Sequence, residues 1–543
     1  MNKRKVRIIG VVVLLIAGLF IGGMGVSGRL PGQSSDPFEG PITVPAGARA
    51  GDLVDLTPCT YEAGGVKYSA DCGTLVVPEN RSNPGSRLIA LPVIRVRALN
   101  RNYAEPILFL MGGPGISNLD FEFLAGLVDE RDFVQVGYRG IDSSSVLDCP
   151  ETVAALKAAD DLLSKTSLDR FSASIARCAE RLQSEGVDVA GYTLLERAHD
   201  IEAARLALGY EKIDLLSESV GTRTVMIYAQ LYPDSIHRSV MIAVNPPGHF
   251  LWKAEVIDEQ LANYAGLCAQ DAVCSARTED LAETMREVAR NMPERWLFVP
   301  IHPGTVKIGS FFGLFNTSTK PLSAPWVVDA WLSAAEGDAS GLAMISLFGD
   351  LVSPSSFVWG ETAAVGASAD LPVVLQYLSE ANLEDTIMGT PGSTWMWGGM
   401  SAWPANMLPE EFRQVQPSEV ETLLVSGAVD FAAPPQFARD EVLPSLSHGQ
   451  QVFLPEFGHS EDVWAIQHEA TARLVNSFFN TGVADASLFT YQPVPFDVGL
   501  VAFPEMLKII LVAPVMVLLG LAALIVFVLH RVRRRKAQEV GLV

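Results

Sequence analysis

Leu215-Leu216-Ser217-Glu218-Ser219-Val220-Gly221-Thr222 reads as a strand that turns abruptly into a helix at Ser219. The approach, GYEKIDLL, reads as a strand, and the exit, TRTVMIYAQLYP, has a helical pattern. A turn this sharp forces its central residue into a strained backbone conformation, tolerated only if the residues two before and two after are small. Ser217 and Gly221 meet that demand, although Ser217 stands where a glycine is usual. The side chain of Ser219 is then lifted above the carboxyl edge of a sheet, over a helix N-terminus. Taken alone, such a serine is more often a helix N-cap than a nucleophile.

Outward from this turn, short apolar runs recur at strand length. EPILFLMGGPG and DFVQVGYRG precede it, and HRSVMIAVNPP follows. Helical stretches alternate with these runs, which predicts βαβ units and a mostly parallel sheet. Further upstream, GTLVVPEN and RLIALPVIRVRA alternate and are rich in β-branched residues, predicting an opening antiparallel pair. From 248 to 418 the rhythm stops, and the segment is helix-like and rich in Trp. Strands resume with VETLLVSGAVD and QQVFLPEFGH. The expected fold is α/β, interrupted by a helical cap.

The two returning strands supply what a nucleophilic serine needs. It requires a base to take its proton, and the base requires a carboxylate to fix its tautomer. Asp430 stands just beyond the first of these strands and His459 just beyond the second. The other seven histidines, His199, His237, His249, His302, His448, His468 and His530, lack this strand-then-turn setting. The fourth requirement is a pair of backbone N–H groups aimed at the developing oxyanion. Val220, directly after the serine, is one candidate. Gly113, in Met111-Gly112-Gly113-Pro114-Gly115, is the other. That turn is no phosphate loop, because no GK[ST] follows it. No metal site and no cofactor are expected: the chain has neither C-x-x-C nor HExxH.

These motifs together resemble the α/β-hydrolase peptidase family of proline iminopeptidase and the tripeptidyl aminopeptidases, the latter branch most closely. The similarity spans about residues 57 to 480. MGGPG is similar to the family's HGGPG turn, GYRGID to its DQRGTG with Arg139 and Gly140 matched, and SGAVDFAAPP and FGHS to its acid and histidine segments. Met111, Ser217 and Val220 depart from the family's His, Gly and Tyr. The resemblance implies an α/β-hydrolase fold and a catalytic triad of Ser219, Asp430 and His459. It also implies exopeptidase activity on peptide N-termini, for which no amine-binding carboxylate is assigned; Glu218 reads as well as a buried structural residue. An esterase or lipase is the alternative, with Phe311, Phe312, Leu314, Phe315, Trp326 and Trp331 as candidate acyl-pocket residues. A non-catalytic receptor or scaffold on the same fold is a third reading, against which the intact triad argues.

Of the 543 residues, 49% are hydrophobic and 19% charged, which excludes a disordered chain. The formal charge of −22 argues against nucleic-acid binding. Basic residues cluster at the two ends: Lys3, Arg4, Lys5 and Arg7 at one, and Arg531, Arg533, Arg534, Arg535 and Lys536 at the other. Each cluster borders an uncharged apolar run, at 8–28 and at 509–529, long enough to span a bilayer core of about 30 Å. The positive-inside rule puts the basic tail in the cytoplasm and the bulk outside it, at a cell membrane. The expected layout is a basic n-region (1–7), a signal anchor or cleaved signal peptide (8–28, the anchor favoured) and a stalk (29–58). The hydrolase core (59–247 and 419–485) encloses the cap (248–418). A linker (486–508), a transmembrane helix (509–529) and a cytoplasmic tail (530–543) follow. Six cysteines outside the cytoplasm read as disulfides. Their proximity in sequence suggests Cys59–Cys72, Cys149–Cys178 and Cys268–Cys274. The expected partners are a peptide or acyl-ester substrate and the lipid bilayer.

Overall fold

The structure, a computed structural model, describes residues 38, 41–100, 104–318, 323–498 and 516–528. Its main sheet is built from β1 (Leu53–Ala63), β2 (Val66–Pro78), β3 (Leu88–Val96), β4 (Ile107–Leu110), β5 (Phe133–Val136), β6 (Ile213–Glu218) and β7 (Ile236–Ile242). A small hairpin, β8 (Arg295–Trp296) and β9 (Val299–Pro300), stands apart, and β10 (Thr422–Gly427) and β11 (Gly449–Leu454) complete the main sheet. The sheet order is β1-β2-β3-β5-β4-β6-β7-β10-β11. Pairs from β5 to β11 are parallel, whereas β1, β2, β3 and β5 pair antiparallel with one another. The sheet is therefore mixed, with its parallel part where the βαβ rhythm placed it. β1 takes in the last six residues of the stretch read as a stalk.

The parallel strands are short apolar runs because both of their faces are covered. β4, β5, β6 and β10 are buried throughout. Alternate side chains enter opposite cores, Leu108, Val134, Leu215 and Leu424 on one side and Phe109, Phe133, Leu216 and Val425 on the other. Helices Lys165–Ser184, Leu194–Leu208 and Val220–Leu231 cover the first side, and His468–Thr481 covers the second. Local chemistry sets the helix limits. Thr193 accepts the N–H of Glu196 at the start of Leu194–Leu208, and Gly209 ends that helix at φ 77°.

After β4 the chain places β5 towards one edge, then builds β6, β7, β10 and β11 towards the other. The order reverses between β4 and β6, so the loops leaving their carboxyl ends diverge and open a crevice there. Those two loops are Met111–Gly115 and the turn at Ser219. Between β7 and β10 the chain forms helices that include Ala254–Gln270, Leu281–Arg290, Pro303–Gly313, Ala324–Ala335, Ser340–Val352, Trp359–Ala369 and Pro391–Trp397. They enclose a separate apolar cluster containing Phe311, Leu314, Trp326 and Trp331.

The structure contains disulfides Cys59–Cys72, Cys149–Cys178 and Cys268–Cys274. The first crosses from β1 to β2, the second joins helix Lys165–Ser184 to the start of helix Pro150–Lys157, and the third closes the end of Ala254–Gln270. The expected transmembrane helices find no such support. Among the described residues no single helix is long and apolar enough to cross a membrane. Within the run 509–529, Met516–Val528 is an exposed apolar helix. Residues 509–515 and 529 of that run lie outside the described residues. The run 8–28 lies outside the described residues.

Candidate active site

β6 ends at Glu218, helix Val220–Leu231 begins two residues later, and Ser219 between them has φ 48° and ψ −122°. Its N–H donates to the Ile242 carbonyl of β7 at 2.9 Å, which fixes the turn against the neighbouring strand. Gly221 has no alternative, because a Cβ there would lie 2.3 Å from the Leu110 carbonyl oxygen. Two residues before Ser219 the space is larger. Ser217 fits fully buried, with its hydroxyl 3.4 Å from the Val240 carbonyl.

Asp430 and His459 come from the loops after β10 and β11. The two carboxylate oxygens of Asp430 lie 3.0 and 2.9 Å from His459 Nδ1. Asp430 Oδ1 also accepts the N–H groups of Ala432 and Ala433, at 2.8 and 2.9 Å. The N–H of His459 is tied to the Phe315 carbonyl at 2.7 Å, so the helical segment between β7 and β10 helps to hold the histidine loop. The turn after β4 lies over Ser219. A Cβ on Gly112 would sit 2.9 Å from the Ser219 Cβ and 3.5 Å from its Oγ. Asn118 secures the start of this turn. Its side chain accepts the Met111 N–H at 2.6 Å and donates to Phe109 and Val136 carbonyls at 3.1 and 2.9 Å.

Residues 105–319 match the family model for the alpha/beta hydrolase fold. The chain carries an α/β-hydrolase domain. It is 25% identical to a tripeptidyl aminopeptidase of Streptomyces lividans over 494 residues, 83% of this chain and 88% of that one. It is 29% identical to the serine protease Hip1 of Mycobacterium tuberculosis over 249 residues, 42% of this chain and 47% of that one. The chain is a serine hydrolase of the α/β-hydrolase fold.

Two further carboxylates of the hydrolase domain surround His459, and neither was assigned a place there from the sequence. Glu218 is buried behind the serine and accepts the Trp464 indole N–H at 2.6 Å. It also takes a side-chain hydrogen bond from Ser460, next to the histidine. Glu218 therefore ties the serine turn to helix Ser460–Ala465. Burial pushes it up to about 7, against the pull of Trp464 and Ser460. Asp462 Oδ2 accepts from the Thr317 N–H at 2.6 Å, the Thr317 hydroxyl at 2.9 Å and the Gly458 N–H at 3.0 Å. Burial raises it too, opposed by those bonds. For His459, burial acts to lower its pKa. Asp430 foremost, and then Glu218 and Asp462, outweigh that and hold it above its ordinary value of 6.5. The only sequence signal for Asp462 is an acid in the first turn after a catalytic-type histidine, which reads as surface charge.

Aromatic residues line the cap side of the α/β-hydrolase crevice. The Phe315 ring is 5.5 Å from that of His459, Phe312 is 5.2 Å from Phe315, and Trp395 is 5.9 Å from Phe312. Phe357 continues the row, with its Cβ 3.0 Å from where a Gly115 side chain would begin. Of the six candidates for an acyl pocket, which read more often as core, Phe312 and Phe315 are half-buried at this surface, whereas Phe311, Leu314, Trp326 and Trp331 lie in the apolar cluster of the helices between β7 and β10. Arg139, matched in the GYRG segment, is structural: it grips Asp200 with two bonds of 2.7 Å and the Glu79 carbonyl at 2.6 Å. Other histidines are engaged elsewhere, His199 with Tyr232, His237 with Asp214, His249 with Glu441 and His302 with Asp350.

Proposed function

We propose that this chain is a membrane-held serine peptidase that releases residues or short peptides from peptide N-termini through an acyl-enzyme on Ser219. Ser219 Oγ attacks the scissile carbonyl carbon while His459 Nε2 takes its proton. The same proton then passes to the leaving amine, and water repeats the cycle on the ester. Gly113 and Val220 supply N–H groups to the oxyanion. The observation that carries this reading is the contact of both Asp430 oxygens with His459 Nδ1. A carboxylate there commits Nδ1 as the donor and leaves Nε2 free to act as base. The peptide substrate is supported by the tripeptidyl aminopeptidase relative, whose match runs through core and cap alike.

An esterase is the second reading, favoured by the aromatic row from Phe315 to Phe357, which suits an apolar acyl group as well as a peptide side chain. A parallel assay of tripeptidyl and aminoacyl anilides against short acyl esters separates the two. Peptidase activity predicts a higher kcat/KM on the anilides, even though an ester bond is intrinsically easier to cleave. Faster turnover of acyl esters alone reverses the assignment.

The membrane part of the reading rests on the run 509–529 and on the exposed apolar helix within it. Its orientation follows from the basic residues that come after it: hydrolase domain outside the cytoplasm, tail inside. The run 8–28 is the proposed second anchor, and 248–418 the proposed cap over the core of 59–247 and 419–485.

The pH dependence follows from the charges around His459. The base works only when neutral, and its neighbours raise its pKa, so the acid limb of kcat/KM lies above 6.5. Glu218→Gln removes a negative charge that favours the imidazolium and that, with Glu218 pushed up to about 7, is present in part across the limb, while keeping an acceptor for Trp464. The acid limb is therefore expected to move to lower pH. A limb that stays in place shows that the Glu218 charge does not reach the base.

A further inference from the structure

Glu361 is the one charged residue in Trp359–Ala369, a cap helix buried along its whole length. A carboxylate in such a place is costly unless it is paired and hydrogen-bonded, and pairing at that depth is weak evidence of a role in stability alone. Its partners lie outside its own helix. Oε2 accepts the N–H of Gly115 at 2.6 Å, and Oε1 accepts Nη2 of the buried Arg197. The Arg197 guanidinium in turn lies 3.6 Å from the centre of the Tyr138 ring, and the Tyr138 hydroxyl donates to the Met111 carbonyl at 2.8 Å. Burial pushes the Tyr138 phenol up, so it stays a donor. Met111 and Gly115 are the two ends of the turn that lies over Ser219.

We infer that Glu361 is a positioning residue for the oxyanion turn, acting on Gly115 directly and on Met111 through Arg197 and Tyr138. The inference rests on the acyl-enzyme reading above. The same cap helix grips Gly115 a second time: the Val358 N–H donates to the Gly115 carbonyl at 3.0 Å. A side chain on Gly115 would begin 2.3 Å from Thr362 Oγ1, so turn and helix are in direct contact. Both polar groups of Gly115 are thus held by the cap, while Tyr138 is held by the core.

An irregular turn has no ladder of its own to fix its N–H groups, yet an oxyanion donor acts only within a few tenths of an ångström of its working distance. The network supplies that fixity from both ends. It makes the cap part of the oxyanion hole's support as well as a wall of the crevice.

The test uses Glu361→Gln and Tyr138→Phe in the full chain, assayed on the anilide or ester that the wild type turns over. In Glu361→Gln the group facing Arg197 becomes a donor or the group facing Gly115 does, so one bond is lost in either orientation. Tyr138→Phe removes a single hydroxyl and keeps the ring under Arg197. A lost oxyanion donor costs roughly 100-fold in kcat, and a mispositioned one less. Glu361→Gln is expected to lower kcat by about 10- to 100-fold and Tyr138→Phe by about 3- to 10-fold, with KM within about 2-fold. Phenylboronic acid, whose tetrahedral serine adduct places an oxygen in the hole, should bind more weakly by similar factors. A merely structural role would lower Tm and leave kcat and boronate affinity alone, and that result overturns the inference. If Glu361→Gln does not fold, Tyr138→Phe decides by itself. Wild-type kcat in Tyr138→Phe alongside a dead Ser219→Ala sinks this inference only, whereas an active Ser219→Ala sinks the acyl-enzyme reading beneath it.

Discussion

Ser219→Ala is expected to lower kcat by a factor on the order of 10^5 or more, with fold and Tm unchanged. The loss is large because, in the proposed acyl-enzyme mechanism, the serine forms the covalent bond, and what remains is catalysis by the crevice alone. Stability is spared because Ala keeps the same backbone demand at φ 48° and loses only an Oγ. A Ser219→Gly variant sharpens the test. A non-glycine residue in that conformation is strained by roughly 1–3 kcal/mol, and glycine relieves part of it. Ser219→Gly should therefore be as inactive as Ser219→Ala yet melt no earlier than wild type, despite glycine's extra chain entropy. Labelling by a fluorophosphonate should disappear in both. Substantial turnover or labelling in either folded variant removes Ser219 from the chemistry.

That the strain falls on Ser219 explains why the sequence around it was so readable. Gly221 has to be glycine because the Leu110 carbonyl occupies the space of a side chain. The neighbouring strands are wholly buried, and β4 in particular appears as an unbroken apolar run, ILFL. Asp430 and His459 were proposed for a related reason: each stands a few residues beyond a strand, and their order in the chain is that of β10 and β11 in the sheet. Ser217 was the doubtful position. The structure resolves the doubt through the larger space on that side of the turn and the neighbouring Val240 carbonyl.

The support of the site was harder to read. Glu361 and Arg197 are 164 residues apart and meet only because the cap folds back over β4 and its loop. No local period encodes such a contact. The one trace is compositional, a single charge in WGETAAVGASA, which is the mark of a buried, paired carboxylate. Asp462 is hidden in another way. It sits in a helix's first turn, where acids are common, and only its bonds to Thr317 and Gly458 distinguish it. The aromatic cap residues were read as a group, but helical periodicity cannot tell which face looks into the crevice. Hence Phe312 and Phe315 were named together with Trp326 and Trp331, which look the other way.

The tautomer of His459 is where the second large effect is expected. Asp430 is fully buried, and its Oδ1 already accepts the N–H groups of Ala432 and Ala433. In Asp430→Asn, the amide oxygen is held in that position by the same two donors, so the NH2 group takes the Oδ2 place, the nearer of the two to His459 Nδ1. A donor there requires Nδ1 to be the acceptor, which moves the imidazole proton to Nε2. The nitrogen that should take the serine proton then already carries one. The geometry survives and the chemistry stops, so kcat should fall by roughly 10^4-fold with little change in KM. The loss is smaller than for Ser219→Ala because the minor tautomer still works when it forms. The variant should fold, since the two backbone bonds are kept, and it should label with fluorophosphonate far more slowly than wild type. If Asp430→Asn instead turns over at the wild-type rate, His459 is not held by this carboxylate during catalysis, and the acid must be sought elsewhere. Asp462, which raises the same imidazole from the cap side, would be the next residue to exchange for asparagine.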